Sequence, residues 1–96
     1  MEKIWLKEKD TGYLIRAAEG TGDNLDEDDI AEGYVDYIYY DEFASIEDAY
    51  QQNTYDGGMI LLNKYYKDMT TQEIKDAVED FVGGKYEVVE SFRECD

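Results

Sequence analysis

Residues 17–63 hold thirteen of the chain's twenty-five carboxylates and none of its nine lysines and arginines. The acids are Glu19, Asp23, Asp26, Glu27, Asp28, Asp29, Glu32, Asp36, Asp41, Glu42, Glu47, Asp48 and Asp56, interleaved with Tyr34, Tyr37, Tyr39, Tyr40, Tyr50 and Tyr55. Carboxylates at this density can ligate a hard cation, share a proton as a catalytic pair, or meet a basic partner. The surrounding sequence decides among these.

The oxygen-rich run from Asp23 to Asp29 invites a calcium test. With Asn24 at loop position 1, Asp26 and Asp28 fill positions 3 and 5, but position 6 is Asp29 instead of glycine and position 12 is Val35 instead of glutamate. The EF-hand frame fails. The chain has no histidine and a single cysteine, Cys95, so the usual general base is absent and a structural zinc site has too few ligands. Carboxylate pairs at glycosidase spacing are uninformative here, because twenty-five acids meet that spacing by chance. Gly20-Thr21-Gly22 lacks the lysine and spacing of a phosphate-binding loop. No enzymatic activity, cofactor or metal is expected.

What remains is recognition. Duplex DNA carries one charge per about 1.7 Å of axis, so thirteen carboxylates match about 22 Å of duplex, roughly one side of a domain this size, whose expected radius of gyration is about 13 Å. A folded acidic surface of that density can fill a nucleic-acid groove on another protein, with tyrosines stacking where bases would. In composition this resembles the DNA-mimic inhibitors used against restriction and CRISPR nucleases; no motif carries the likeness. The expected partner is therefore a basic protein, most concretely a nucleic-acid-binding protein or nuclease, approached through Asp23, Asp26, Glu27, Asp28, Asp29, Glu32, Asp36, Tyr40 and Glu42. The plainer alternative is an interaction module that uses an exposed tyrosine strand, its acidity serving only solubility. Direct contact with nucleic acid or an anionic membrane is disfavoured by a net charge of −16.

These side chains must be held by a small scaffold. Ninety-six residues make one domain, 1–96. The lone cysteine, the charged start and a longest aliphatic run of four residues, 59–62, point to a cytoplasmic protein without a membrane span. Residues 3–9 and 13–18 alternate as a hairpin about Asp10-Thr11-Gly12, with Ile4 and Leu6 on one strand face and Tyr13, Ile15 and Ala17 on one face of the other. Asn24 is placed to cap a short helix that Gly33 ends. Residues 34–43 give the strongest strand signal, with Val35, Tyr37, Tyr39 and Phe43 assigned to the core and Asp36, Tyr40 and Glu42 to the outside.

Ser45 and Asp48 predict a second short helix over 46–52, residues 53–58 a turn, and 59–66 a strand. Thr70 to Glu73 reads as a capping box opening a helix over about 71–82, whose Ile74, Ala77, Val78, Phe81 and Val82 share one face. Residues 85–92 return as a strand with Tyr86, Val88 and Phe92 on one face. The sum is an α+β domain: about five strands in a mainly antiparallel sheet, one main helix and one or two short ones.

Overall fold

The computed structural model describes residues 2–19 and 25–93. The hairpin forms as its alternation requires. Strands β1 (Glu2–Glu8) and β2 (Leu14–Glu19) pair with Ile4 opposite Ala17 and Leu6 opposite Ile15, so four aliphatic side chains share one face. At the turn Gly12 adopts φ +79°, a region that a side chain disfavours.

Strand β3 (Asp36–Phe43) pairs with β2, and β4 (Asp56–Leu62) with β3, while β5 (Tyr86–Arg93) returns to the far side of β1. The spatial order is β4-β3-β2-β1-β5, and every pairing is antiparallel. Two short helices, α1 (Glu27–Ala31) and α2 (Ile46–Tyr50), flank β3 in the chain. After a single 3-10 turn (Tyr66–Asp68), helix α3 (Thr71–Val82) carries the chain from one sheet edge to the other. It is an α+β fold built on one five-stranded antiparallel sheet and one main helix.

Helix α3 starts and stops as its end residues dictate. The Thr70 hydroxyl accepts from the Glu73 N–H, the Glu73 carboxylate accepts from the Thr70 N–H, and Gly83 closes the helix in the left-handed region. It buries Ile74 and Val78 against Ile4, Leu6, Ile15, Ala17, Ile38, Ile60 and Leu62, with Tyr40, Tyr66 and Tyr86 completing the layer. On the opposite sheet face Trp5, Leu14 and Phe43 pack with Ala49 of α2.

Five expectations are corrected. The face of β3 under α3 is the one bearing Ile38, Tyr40 and Glu42, not the one bearing Val35, Tyr37 and Tyr39. Cross-strand register enforces this: Ala17 lies opposite Tyr40 and Ile15 opposite Glu42, so the aliphatic face of the hairpin draws that side of β3 inward. Tyr37 and Phe43 are nonetheless buried on the second face, whereas Val35 and Tyr39 are exposed.

Gly57 and Gly58 belong to β4 and not to a turn. A Cβ on Gly58 would stand 2.9 Å from Tyr40 Cε1, and one on Gly57 would stand 2.9 Å from the Tyr40 carbonyl oxygen. The glycines admit a large ring between Ala17 and β4, a packing demand that local sequence does not display. The strand predicted over 59–66 ends at Leu62, and Tyr66 turns into the core instead.

A register shift in β5 facing Trp5 and Leu6 moves the alternation by one, so Val88 lies opposite Leu6 while Phe92 lies opposite Lys3. The regular alternation expected over residues 86–92 is therefore broken within the strand. Lastly, α1 is capped by Asp26. The earlier start assigned to Asn24 lies outside the described residues, as does Asp23.

Candidate interaction surface

Helix α1 is the densest part of the acidic stretch, and two of its carboxylates are structural. The Asp26 side chain accepts from the Asp29 N–H at 2.9 Å, and Asp29 reaches back toward the Asp26 N–H at 3.4 Å. This reciprocal box holds a five-residue helix that buries none of its own side chains. Glu27, Asp28 and Glu32 are left fully displayed to solvent. The Asp29 carbonyl accepts from the Tyr34 N–H at 3.1 Å, which closes the C-terminal end of the helix just before β3.

The other three predicted residues do not join them. Asp36 accepts from the N–H groups of Tyr37 and Tyr66, both at 2.8 Å, and so ties the 3-10 turn to β3. Tyr40 lies in the core beneath α3, with its ring 5.7 Å from that of Phe81. Glu42 sits six residues along the strand from Asp36, about 20 Å away. It is directly opposite Asp56 and half-buried. Assigning the wrong face to β3 is what made Tyr40 and Glu42 look external.

The electrostatics of that end of the sheet follow from crowding. Burial, then the neighbouring Asp56 and Glu8, push the Glu42 carboxyl above its usual range. Burial first, and Glu42, Glu8, Tyr40 and Glu79 after it, drive the Tyr86 phenol up to about 12, and Tyr40 is raised by burial, Asp56 and Glu42. Both rings serve as packing groups in the layer beneath α3. Among the described residues no three acidic or thiol side chains converge to hold a metal ion.

Among the described residues, the charge along 17–63 stays almost wholly uncompensated. Of its carboxylates among the described residues, only Asp41 is in an ion pair, with Arg16 at 2.9 Å. Arg16 is fixed by more than charge: its guanidinium lies 5.6 Å from the Trp5 ring centroid and 5.3 Å from that of Phe43. Sequence reasoning did not single out this Trp5, Arg16, Phe43 and Asp41 constellation. It arises because Trp5, Arg16 and Asp41 fall opposite one another across three strands.

One further surface went unread in the sequence, and the exposed tyrosines of the alternative reading form another. A groove of about 510 Å³ runs between β4 and α3, walled by Asp76 and Asp80, and Tyr34, just before β3, also lines it. The polar positions of α3 were the only available signal. On the second sheet face Tyr39 and Tyr50 are exposed, Tyr50 by 71%, and Tyr55, just before β4, is exposed by 67%. Tyr50 leans toward Trp5 with centroids 6.5 Å apart, and Tyr55 meets Tyr13 edge-on at 5.6 Å.

No family model, curated protein or solved structure matches this chain. Among the described residues no helix is long and apolar enough to cross a membrane.

Proposed function

We propose that the protein is a non-catalytic acidic interaction protein that occupies the basic groove of a nucleic-acid-binding protein or nuclease, its carboxylates taking the places of phosphates. One observation carries this reading: the described carboxylates of residues 17–63 are held on or beside defined elements, and among them only Asp41 has a cationic partner. Uncompensated charge at fixed positions raises association rates and selects a complementary surface. The longest axis of the molecule, 39 Å, exceeds the roughly 22 Å of duplex whose charge it would match.

The decisive experiment is competition. A basic partner captured at low salt and loaded with duplex DNA is challenged with the protein; displacement of the DNA, weakening steeply from about 50 to about 200 mM salt, is the expected result. Salt-insensitive binding would favour a second reading, in which exposed Tyr39, Tyr50 and Tyr55 form the contact and acidity only maintains solubility.

A further inference from the structure

Strand β4 is an edge, and an unusual one. Among the described residues no strand lies beside its outer side, so backbone groups there lack a strand partner, although the Gly57 N–H donates to the Asp56 carboxylate at 2.8 Å. Proteins blunt such edges with charges or bulges. The opposite edge, β5, has both, in Glu87, Glu90 and its register shift. Past Asp56, strand β4 reads Gly57-Gly58-Met59-Ile60-Leu61-Leu62 without a charge or an irregular pairing. It is an open pairing template.

The groove of about 510 Å³ lies along this edge with α3 as its far wall. Met69 and Ala77 supply a partly buried apolar lining, Phe81 is exposed at one end, and the Lys64–Glu73 ion pair at 2.9 Å stands at the other. Asp76 and Asp80 rim it, both exposed and without a cationic partner among the described residues; Asp76 accepts only from Gln72 Nε2, at 2.9 Å. Four residues apart on a helix, they are separated by about 6 Å along its axis. Side chains at alternate positions of a strand are about 6.7 Å apart. The two periods match.

We infer that the β4–α3 groove binds an extended, basic peptide segment of a partner protein as a sixth strand, with lysine or arginine side chains at alternate positions meeting Asp76 and Asp80. Backbone pairing along β4 supplies affinity and the acidic rim supplies selectivity, the logic of strand addition at a sheet edge. The groove has room for about four extended residues, since residues 73 to 81 of α3 span about 12 Å. The inference rests on the proposed preference for basic partners but assigns it a site and a mode that a nucleic-acid mimic does not require.

The test uses the whole protein, labelled with nitrogen-15, and the peptide acetyl-Lys-Val-Lys-Val-Lys-Val-amide. Shift changes concentrated in the amides of residues 57–62 and 73–81, with slowed hydrogen exchange along β4, are expected. Methylating alternate backbone nitrogens keeps the charge but removes strand pairing, and should weaken binding at least about tenfold. Asp76→Lys with Asp80→Lys should do the same with the spectrum otherwise intact, because both side chains project into solvent.

Equal binding by the methylated peptide, equal binding by a glutamate-for-lysine peptide, or shifts centred elsewhere would each overturn the inference. If the peptide is silent while polylysine shifts the α1 amides in a salt-dependent way, the groove assignment falls and the acidic-surface reading stands. Silence with both removes both. Peptide binding in the groove without displacement of DNA from any partner keeps the groove and removes the mimicry.

Discussion

Glu42 on β3 and Asp56 on β4 are direct cross-strand partners, two carboxylates in register on the face that α3 covers. Like charges so placed oppose the pairing that brings them together. Glu42 feels this most, because burial and then Asp56 and Glu8 raise its pKa above the usual value. The native state therefore holds the Glu42 proton more tightly than the unfolded chain does. The resulting penalty is absent below the unfolded pKa and complete above the raised folded one, so stability from this group falls as pH rises between them. Glu42→Gln should stabilise the protein by roughly 0.2–1 kcal/mol at neutral pH and lose that advantage in acid. Paired urea titrations of variant and parent across the carboxylate range check it, and a neutral-pH loss of stability would remove the repulsion argument.

Salt should stabilise the fold. With a net charge of −16 and only three ion pairs seen among the described residues, the dominant long-range interaction is self-repulsion. Raising ionic strength shortens the Debye length to about 8 Å at 0.15 M and weakens that repulsion. The melting temperature should climb with sodium chloride; a flat or falling response is the contrary result.

Gly58→Ala should destabilise by about 1–3 kcal/mol, the cost of overpacking a filled site. The added methyl would lie 2.9 Å from Tyr40 Cε1 and 3.0 Å from its hydroxyl, and the ring is pinned between Ala17 and the Phe81 ring. Chemical denaturation measures the loss, and an unchanged midpoint would mean that the Tyr40 ring is free to move aside.

Charge removal on α1 has to spare its capping box. Reversing Asp26 and Asp29 would combine a charge effect with the loss of the cap, and Asp26→Ala alone should cost about 1 kcal/mol of local helix stability. Glu27→Gln, Asp28→Asn and Glu32→Gln together touch only displayed side chains. Their combination should leave the circular dichroism spectrum unchanged and the melting temperature no lower, since repulsion is relieved, while weakening a basic partner by tenfold or more. Undiminished binding would reduce α1 to a solvated face.

Arg16 offers an optical test, since Trp5 is the chain's single tryptophan. Its guanidinium spans the rings of Trp5 and Phe43 and bonds Asp41 at 2.9 Å. Arg16→Met should shift the Trp5 emission and lower stability by about 1–2 kcal/mol. Arg16→Lys should not restore the parent spectrum, because an ammonium lacks the planar fork that stacks and pairs at once. Full recovery with lysine would show that charge alone matters there.

How far the sequence could be read depended on the range of the interactions involved. Helix α3 was legible because its cap, its periodicity and its glycine stop all lie within fifteen residues. Ser45 capping α2 and the aliphatic hairpin face were legible for the same reason. Strand β3 was not, since Val35, Tyr37 and Tyr39 on one side and Ile38 and Tyr40 on the other are nearly balanced in apolar character. That balance broke only when β2 set the register. The expected surface suffered accordingly: α1 retained its exposed acids, whereas Asp36, Tyr40 and Glu42 turned out to tie, fill and crowd the helix-covered side.

By itself, then, the sequence determined the charge segregation, the α+β element types and the main helix, because composition, caps and short periods are properties of neighbouring residues. Tertiary structure alone decided which side of β3 is buried, why β4 needs two glycines, and that Asp76 and Asp80 rim a groove beside an uncharged edge strand. Those depend on strands far apart in the chain meeting in one register, and a shift of a single residue there reverses every side chain from one face to the other.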